Sequence, residues 1–119
     1  MVRDYRELEV WRLAMDLSEA VYRLARRFPR AEEYRLTSQL LRAVVSVPAN
    51  LAEGNARSTR KDYARFVSIA RGSLAETETL LMLARRVELA SAEDIDPVLS
   101  EADRVGRMLN GLHRSLGEE

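Results

Sequence analysis

The feature that most constrains this chain is a series of four long segments in which apolar residues recur every three or four positions. That spacing places them on one face of an α-helix, and the chain has only 5 Gly and 3 Pro with which to interrupt helices. No segment shows the strict alternation of a half-buried strand. With 119 residues, 46% of them hydrophobic, the chain is long enough for one core. The sequence therefore predicts a single all-α domain over residues 1–119.

The segments predict helices over about residues 7–28 and 31–53, a third that begins at Ser58 or Thr59 and runs to about Glu88, and a fourth that begins at Ser91. Three pairs have the spacing of a capping residue and its acidic partner: Asp4 with Glu7, Thr59 with Asp62, and Ser91 with Asp94. Gly54 fits a left-handed residue at the end of the second helix. Because the connections are short, consecutive helices are expected to be antiparallel, which predicts an up-down four-helix bundle.

Composition excludes several kinds of function. The chain has no Cys and one His, so disulfides, thiol catalysis and Cys or His metal clusters are ruled out. No apolar run approaches the roughly 20 residues of a membrane span, and the N-terminus lacks the apolar stretch of a signal peptide. We therefore expect a cytoplasmic protein with no cofactor and no membrane partner. No set of residues suggests catalysis, so the sequence predicts a protein that is not an enzyme.

The second helix contains a proline, in the stretch SVPANLAEG over residues 46–54. Pro48 cannot donate a hydrogen bond to the carbonyl of Val44, which costs roughly 3 kcal/mol in a helix interior. The helix could bend there and continue, or break, with Ser46 capping a second piece. We favour the bend, because the apolar row passes through Pro48 without a shift. The freed carbonyl then needs a donor, from Ser46, Asn50 or a facing helix.

A polar row runs along the same helix and includes Gln39, Ser46, Asn50 and Glu53. It has two interpretations: a solvated face, or a buried network that fixes the register of neighbouring helices. In the second interpretation its partners are Ser73 and Glu76 on the third helix. The adjacent Gly72, in a helix interior, would then allow another backbone to come close.

The first helix has an apolar arc wider than the surface helix of a monomer needs. Nearly all of its residues outside one narrow polar row are apolar, including Val10 and Trp11. A neighbouring subunit would cover the second flank of such an arc. The sequence therefore predicts a homo-oligomer with Val10 and Trp11 at its interface.

These features together resemble a known family. The specific parts are Leu8, Val10 and Trp11, then Gln39 and Ser46, then NLAEG at 50–54 and GSLAE at 72–76. Over about residues 5–85 the chain resembles the bacterial four-helix bundle proteins encoded in intervening sequences of 23S ribosomal RNA genes. The accessory variability proteins of diversity-generating retroelements are relatives of that family. The resemblance implies an up-down four-helix bundle, commonly a ring-shaped homopentamer, with no known enzymatic activity. In the accessory variability proteins, a basic surface binds nucleic acid and a reverse transcriptase.

Charge is unevenly distributed, although 19 Lys and Arg balance 19 Asp and Glu. Residues 57–71 hold five cations against one carboxylate, and residues 72–119 hold five Arg against ten carboxylates. Arginines at a helix N-terminus can hold phosphate. This predicts an RNA- or DNA-binding surface formed by Arg57, Arg60, Lys61 and Arg65.

The alternative is that these cations pair with the acidic fourth helix, of the same or a neighbouring chain. The acidic candidates are Asp94, Asp96, Glu101 and Asp103. The protein would then be an interaction scaffold with no nucleic-acid role. Salt dependence separates the two functions, because phosphate binding weakens steeply with salt.

Overall fold

Four α-helices make up most of the protein in a computed structural model that describes residues 4–117. They are α1 (Glu9–Ala25), α2 (Leu36–Asn55), α3 (Arg60–Arg86) and α4 (Ala92–Gly117). Short 3₁₀ turns precede α1 and α2, over Tyr5–Glu7 and Arg30–Glu32. No strand occurs within residues 4–117, so the predicted all-α class is confirmed.

The helices form a bundle in which each one packs against two neighbours. Helix α2 contacts α1 and α3, while α4 contacts α3 and α1 and so closes the bundle. Among the described residues, no Cα atoms of the diagonal pairs α1–α3 and α2–α4 lie within 8 Å of each other. The bundle measures 46 × 23 × 20 Å, which is close to the length of its longest helix. The predicted four-helix bundle is confirmed.

The core is built from the apolar stripe that each helix turns inward. In α1 the stripe has the expected spacing of three and four: Val10, Ala14, Leu17, Val21 and Leu24. Burying one such Leu or Val side chain contributes about 1.5–3 kcal/mol. The completely buried large side chains come from all four helices: Leu17, Val21, Leu40, Val44, Val47, Leu51, Val67, Leu81, Ile95, Val105 and Leu109.

Two of the three predicted capping pairs are present. The Thr59 side chain accepts from the backbone N–H of Asp62 at 3.1 Å, and the Ser91 side chain accepts from the backbone N–H of Asp94 at 3.2 Å. Each hydroxyl satisfies one of the backbone donors that a helix start leaves without a partner.

The predicted cap of α1 was wrong. Asp4 accepts instead from the backbone N–H of Arg6 at 2.9 Å, which caps the 3₁₀ turn. Leu8 is then extended, with φ −72° and ψ 123°, and α1 begins at Glu9. The start of α2 also lies five residues later than predicted, because Arg30–Glu32 forms a separate turn.

Two residues at helix ends differ from expectation. Gly54 is a residue of α2, which continues to Asn55, and no glycine within residues 4–117 has a positive φ. The left-handed stop predicted at Gly54 was therefore wrong. The left-handed residue is instead Glu88, with φ 60°, just after α3. It allows the N–H of Leu89 to reach the carbonyl of Ala84 at 2.9 Å.

Helix α2 is continuous through Pro48. The alternative of a broken helix, with Ser46 capping a second piece, was therefore wrong. The bend at Pro48 stays a prediction.

Candidate functional site

A chain of polar side chains crosses the seam between α2 and α3. The hydroxyl oxygens of Ser46 and Ser73 lie 2.8 Å apart, and either can donate. The Asn50 amide donates to the hydroxyl and to the carbonyl of Ser46, at 2.8 Å each. On α3 the hydroxyl of Thr77, which is fully buried, donates to the carbonyl of Ser73 at 2.8 Å. The seam is half-buried, so these bonds replace bonds to water.

Three residues predicted for the same network lie outside it. Gln39 and Glu76 are exposed. Glu53 is also exposed, and its carboxylate pairs with Arg57 at 2.8 Å, one helical turn further on. The structure therefore brings Ser46, Asn50 and Ser73 together and leaves Gln39 and Glu76 at the surface.

Pro48 has no N–H to donate to the carbonyl of Val44. That carbonyl accepts a hydrogen bond from a side chain of α1 instead. The hydroxyl of Ser18 lies 3.3 Å from the carbonyl oxygen of Val44 and 2.9 Å from that of Ala14. A hydroxyl has one hydrogen, so the two carbonyls share it. Ser18 is only 8% exposed. The donor to the Val44 carbonyl therefore comes from a facing helix, while the Asn50 amide donates to Ser46.

Close packing between α2 and α3 occurs at Gly54. A Cβ added there would lie 2.8 Å from the Cβ of Phe66 and 3.1 Å from the ring of Tyr63. At Gly72, by contrast, an added Cβ would meet nothing within 4 Å. The expectation that Gly72 admits a neighbouring backbone within the chain was therefore wrong.

The four predicted nucleic-acid-binding side chains stand at one end of the bundle, around the start of α3. We call Arg57, Arg60, Lys61 and Arg65 the basic patch; all four are exposed. The guanidinium carbons of Arg57 and Arg65 each lie 4.7 Å from the centre of the Phe66 ring. One buried aromatic ring therefore brings together two cations that are eight positions apart in the sequence.

The other two members of the basic patch face the end of α4. Arg60 donates to the carbonyl of Ser115 at 2.6 Å, where the negative end of that helix favours a cation. Arg60 and Lys61 line a groove with Leu116 and Gly117. The basic patch thus extends from Phe66 to the C-terminal turn of α4.

Two carboxylates reduce the charge of the basic patch. Glu53 pairs with Arg57 at 2.8 Å, and Asp62 lies 3.8 Å from Arg65. Each pair is one turn apart and exposed to water, where it contributes little to stability. A phosphate that approaches Arg57 or Arg65 therefore displaces only a weak, solvated ion pair.

The acidic residues of α4 have other partners. Asp94 pairs with Arg27 at 3.0 Å, Asp96 pairs with Arg85, and Asp103 lies 3.6 Å from Arg107. These three carboxylates are therefore not paired with the basic patch of the same chain, and that part of the alternative was wrong.

Like charges face each other on both sides of α4. Burial and the nearby Asp16 of α1 raise the pKa of Glu101 above its ordinary value. Burial and Asp103 likewise raise the pKa of Glu78 in α3. The middle of α4 is therefore bordered by carboxylates that an added cation would stabilise.

The two predicted interface residues differ in exposure. Val10 is 5% exposed and belongs to the core of the chain, so its side chain has little surface for a neighbour. Trp11 is partly buried, and its ring meets the edge of Tyr5 at 5.2 Å between ring centres. On the same side of α1, about one turn from Ser18 in each direction, Met15 is 45% and Tyr22 48% exposed.

Those exposed side chains continue onto α2. Ser18 faces α2 at Val44, and the next residue, Val45, is 41% exposed. Helical spacing places Leu41, which is partly buried, on the Val45 side of α2. We call Trp11, Met15, Tyr22, Leu41 and Val45 the apolar flank. It combines partly buried and exposed apolar side chains of two adjacent helices.

Two other features are absent from residues 4–117. No group of three or more His, Cys, Asp or Glu residues in that range could hold a metal ion. None of the helices there is long and apolar enough to cross a membrane.

Comparison with known proteins gives a family for this architecture. The model of the 23S rRNA-intervening sequence protein family matches residues 6–111. The chain belongs to this family. The predicted family is thereby confirmed, and its match extends through most of α4, beyond the residues on which the resemblance rested.

A solved structure has the same fold as this family member. It is the crystal structure, at 1.70 Å resolution, of a protein of unknown function from the S23 ribosomal protein family of Bacteroides thetaiotaomicron VPI-5482. The TM-score is 0.82 at 22% sequence identity, over 88% of this chain and 98% of the other. At that identity the likeness establishes the fold alone. No curated protein matches the chain.

Proposed function

We propose that this protein is a non-enzymatic homo-oligomer that binds nucleic acid through the basic patch. The observation that carries the proposal is the pair of guanidinium groups held 4.7 Å from the Phe66 ring centre. Packing against a buried ring limits the freedom of Arg57 and Arg65, so less side-chain entropy is lost when they bind. Their side chains keep 41% and 60% of their surface exposed, which leaves room for a ligand.

Phosphate is the ligand that suits this geometry. Guanidinium groups can donate two hydrogen bonds to one phosphate, and the first backbone N–H groups of α3 add positive potential at the same end. Phosphate contacts carry no base identity, so binding should be nearly independent of sequence.

Assembly would compensate for the zero net charge of a single chain, which by itself attracts nucleic acid weakly. A ring repeats the basic patch on every subunit, and several weak contacts with one nucleic acid then add through effective concentration. The apolar flank supports self-association, because burying it in an interface removes apolar surface from water. Five is the number of subunits that the family resemblance implies.

A second candidate function is an interaction scaffold without nucleic acid. The like-charged pairs Asp16 with Glu101 and Glu78 with Asp103 favour it. If the basic patch of a neighbouring subunit lay against these carboxylates, it would reduce their repulsion. Its cations would then be paired with protein and could not bind nucleic acid. The protein partner would then dock elsewhere on the ring.

Electrophoretic binding and light scattering together test the proposal. We expect the parent protein to bind structured RNA, double-stranded DNA or single strands at low salt, with a mass of about five times 13.6 kDa. Replacing Arg57, Arg60, Lys61 and Arg65 by Ser should weaken binding across sequences alike and leave the mass unchanged.

The matched control replaces four other exposed arginines by Ser: Arg23, Arg86, Arg104 and Arg107. It removes the same charge and should keep most of the binding. Equal loss in both variants would mean that only total charge matters. No binding by the parent protein, with the oligomer intact, would favour the scaffold.

A further inference from the structure

A groove lies between the first turn of α2 and the last turns of α3, at the end of the bundle away from the basic patch. Its volume is about 380 Å³, and the length of α2, about 30 Å for 20 residues, separates the two regions. Most of its lining is apolar: Leu36, Leu80, Leu83, Val87 and Leu89. None of these residues belongs to the basic patch or to the apolar flank.

The apolar lining of this groove is open to water. Leu80 is buried, whereas Leu83 is 45% and Val87 55% exposed, one helical turn apart on the same side of α3. Apolar side chains grouped in a concave surface are typical of a place where another molecule binds. An apolar side chain that entered the groove would therefore remove this surface from water.

The turn beside the groove carries an exposed aromatic side chain. The N–H of Arg35 donates to the carbonyl of Glu32 at 3.0 Å, which closes a turn with Tyr34 at its tip. Both ends of this turn line the groove. The side chain of Tyr34 is nevertheless 88% exposed, so it does not fill the groove of its own chain. The closed turn holds the residue in place, which lowers the entropy lost when its ring packs against a partner.

Two opposite charges at the rim of the groove have no partner. Glu32 and Arg35 are three positions apart, yet neither forms an ion pair with the other or with any further residue of the described range. A two-fold axis beside the turn can bring Glu32 of one copy to Arg35 of a second copy, and symmetry then forms the reverse pair as well. The rim is therefore complementary in charge to a second copy of itself.

We propose that this groove receives Tyr34 of a second copy of the chain, in a two-fold contact where each copy fills the groove of the other. Tyr and Arg are among the side chains that most often carry the binding energy of an interface. The reciprocal pairs of Glu32 with Arg35 fix the orientation of the two copies. This inference goes beyond the proposed function, because it uses neither the basic patch nor the apolar flank.

The contact is small, which sets its strength. An aromatic side chain buries about 150–250 Å². Two rings, together with the groove walls that cover them, therefore bury about 600–1,000 Å² in total. Interfaces of that size belong to weak, transient complexes, so the two copies should separate on dilution.

Light scattering over a range of protein concentrations tests the proposal. The mass, relative to its value at the lowest concentration, should double as concentration rises, whatever number of subunits the proposed ring contains. Tyr34→Ser should raise the concentration needed for doubling at least tenfold. It should leave the melting temperature unchanged, because the side chain is exposed. The matched control is Met82→Ser, which removes an exposed apolar side chain elsewhere on α3 and should double like the parent.

Charge reversal tests the reciprocal pairs. Glu32→Arg and Arg35→Glu should each prevent doubling, because like charges then meet across the two-fold axis. An equimolar mixture of the two variants should double again, since each Arg of one variant faces a Glu of the other. The chain with both substitutions should also double. An effect of these residues on the fold of a single chain would not be rescued by mixing.

Three results would overturn the proposal: a mass that does not depend on concentration, doubling kept in Tyr34→Ser, or a mixture of the two reversal variants that does not double. The first would leave the groove to a different partner or to water. The test is separate from that of nucleic-acid binding. The variant with four Ser in the basic patch should still double, and Tyr34→Ser at low concentration should bind nucleic acid like the parent.

Discussion

The hydroxyl of Ser18 in α1 reaches the backbone carbonyl of Val44 in α2 across 3.3 Å. Pro48 is the residue whose N–H would have occupied that carbonyl in a regular helix. A contact between two helices therefore replaces a bond within one helix. The bond links α1 to α2 at this level of the bundle.

Ser18→Ala should destabilise the protein by about 1 kcal/mol, because it leaves a buried carbonyl without its donor. In a Pro48→Ala background the new N–H of residue 48 can bond to Val44, so the same Ser18→Ala change should cost less. Denaturant unfolding of the four proteins measures the coupling. Equal costs in the two backgrounds would show that Ser18 does not compensate for the proline.

Asn50→Ala should cost about 1–3 kcal/mol, because it removes the donor to Ser46 at a half-buried seam. The matched control is Gln39→Ala on the exposed part of the same polar row, where a change within about 0.5 kcal/mol is expected. The free energy of unfolding in urea measures both. Similar small effects at the two positions would make the whole row a solvated face.

Two alanine substitutions should have opposite signs. Gly54→Ala should destabilise by about 1–3 kcal/mol, because its Cβ would overlap Phe66 and Tyr63. Gly72→Ala, with open space around it, should stabilise by about 1 kcal/mol through helix propensity. Melting temperatures distinguish the two. A loss of stability in Gly72→Ala would contradict the open space at this position in the single chain and would indicate that a second copy packs there.

Periodicity was enough to predict the bundle, because each helix buries a stripe that recurs every three or four residues. The helix caps at Thr59 and Ser91 could also be predicted from the sequence, because each hydroxyl and its acidic partner lie within one turn of the chain. The polar row contained Ser46 and Asn50, whose partner Ser73 was named from the sequence.

Long-range packing explains what the sequence did not reveal. Ser18 lies within the apolar arc of α1. Its hydrogen bond to the Val44 carbonyl could not be predicted without knowing how α2 packs against α1. Gly54 was interpreted as a stop, although its lack of a side chain serves the contact with Phe66. Phe66 itself is buried in the structure. Its contact with two guanidinium groups was not predicted, because it depends on the turn between α2 and α3 that brings Arg57 against the Phe66 ring.

Stability should depend on pH through Glu101. Its pKa in the folded protein is raised above the ordinary 4.5 by burial and by Asp16, so the folded state binds its proton more tightly than the unfolded state. This group therefore favours folding at low pH, and its contribution is lost as pH rises from about 4.5 through the raised pKa. Glu101→Gln should raise the melting temperature at pH 7 and flatten this part of the pH profile. Glu76→Gln is the control for the loss of one exposed charge.

An unchanged or lower melting temperature in Glu101→Gln at pH 7 would contradict the repulsion between α1 and α4. A profile equally flattened in the control would assign the effect to net charge instead. Both variants should be compared at the same protein concentration, because the proposed self-association would also contribute to the melting temperature.

Nucleic-acid binding by the basic patch is tested most directly by the salt dependence of affinity. For the parent protein we expect log affinity to fall linearly with log salt concentration. In the variant with Ser at Arg57, Arg60, Lys61 and Arg65, the slope should become shallower by about 0.7–0.9 for each phosphate that the variant no longer neutralises. A parent protein whose affinity does not change with salt, or a variant with the parent's slope and affinity, would contradict the account.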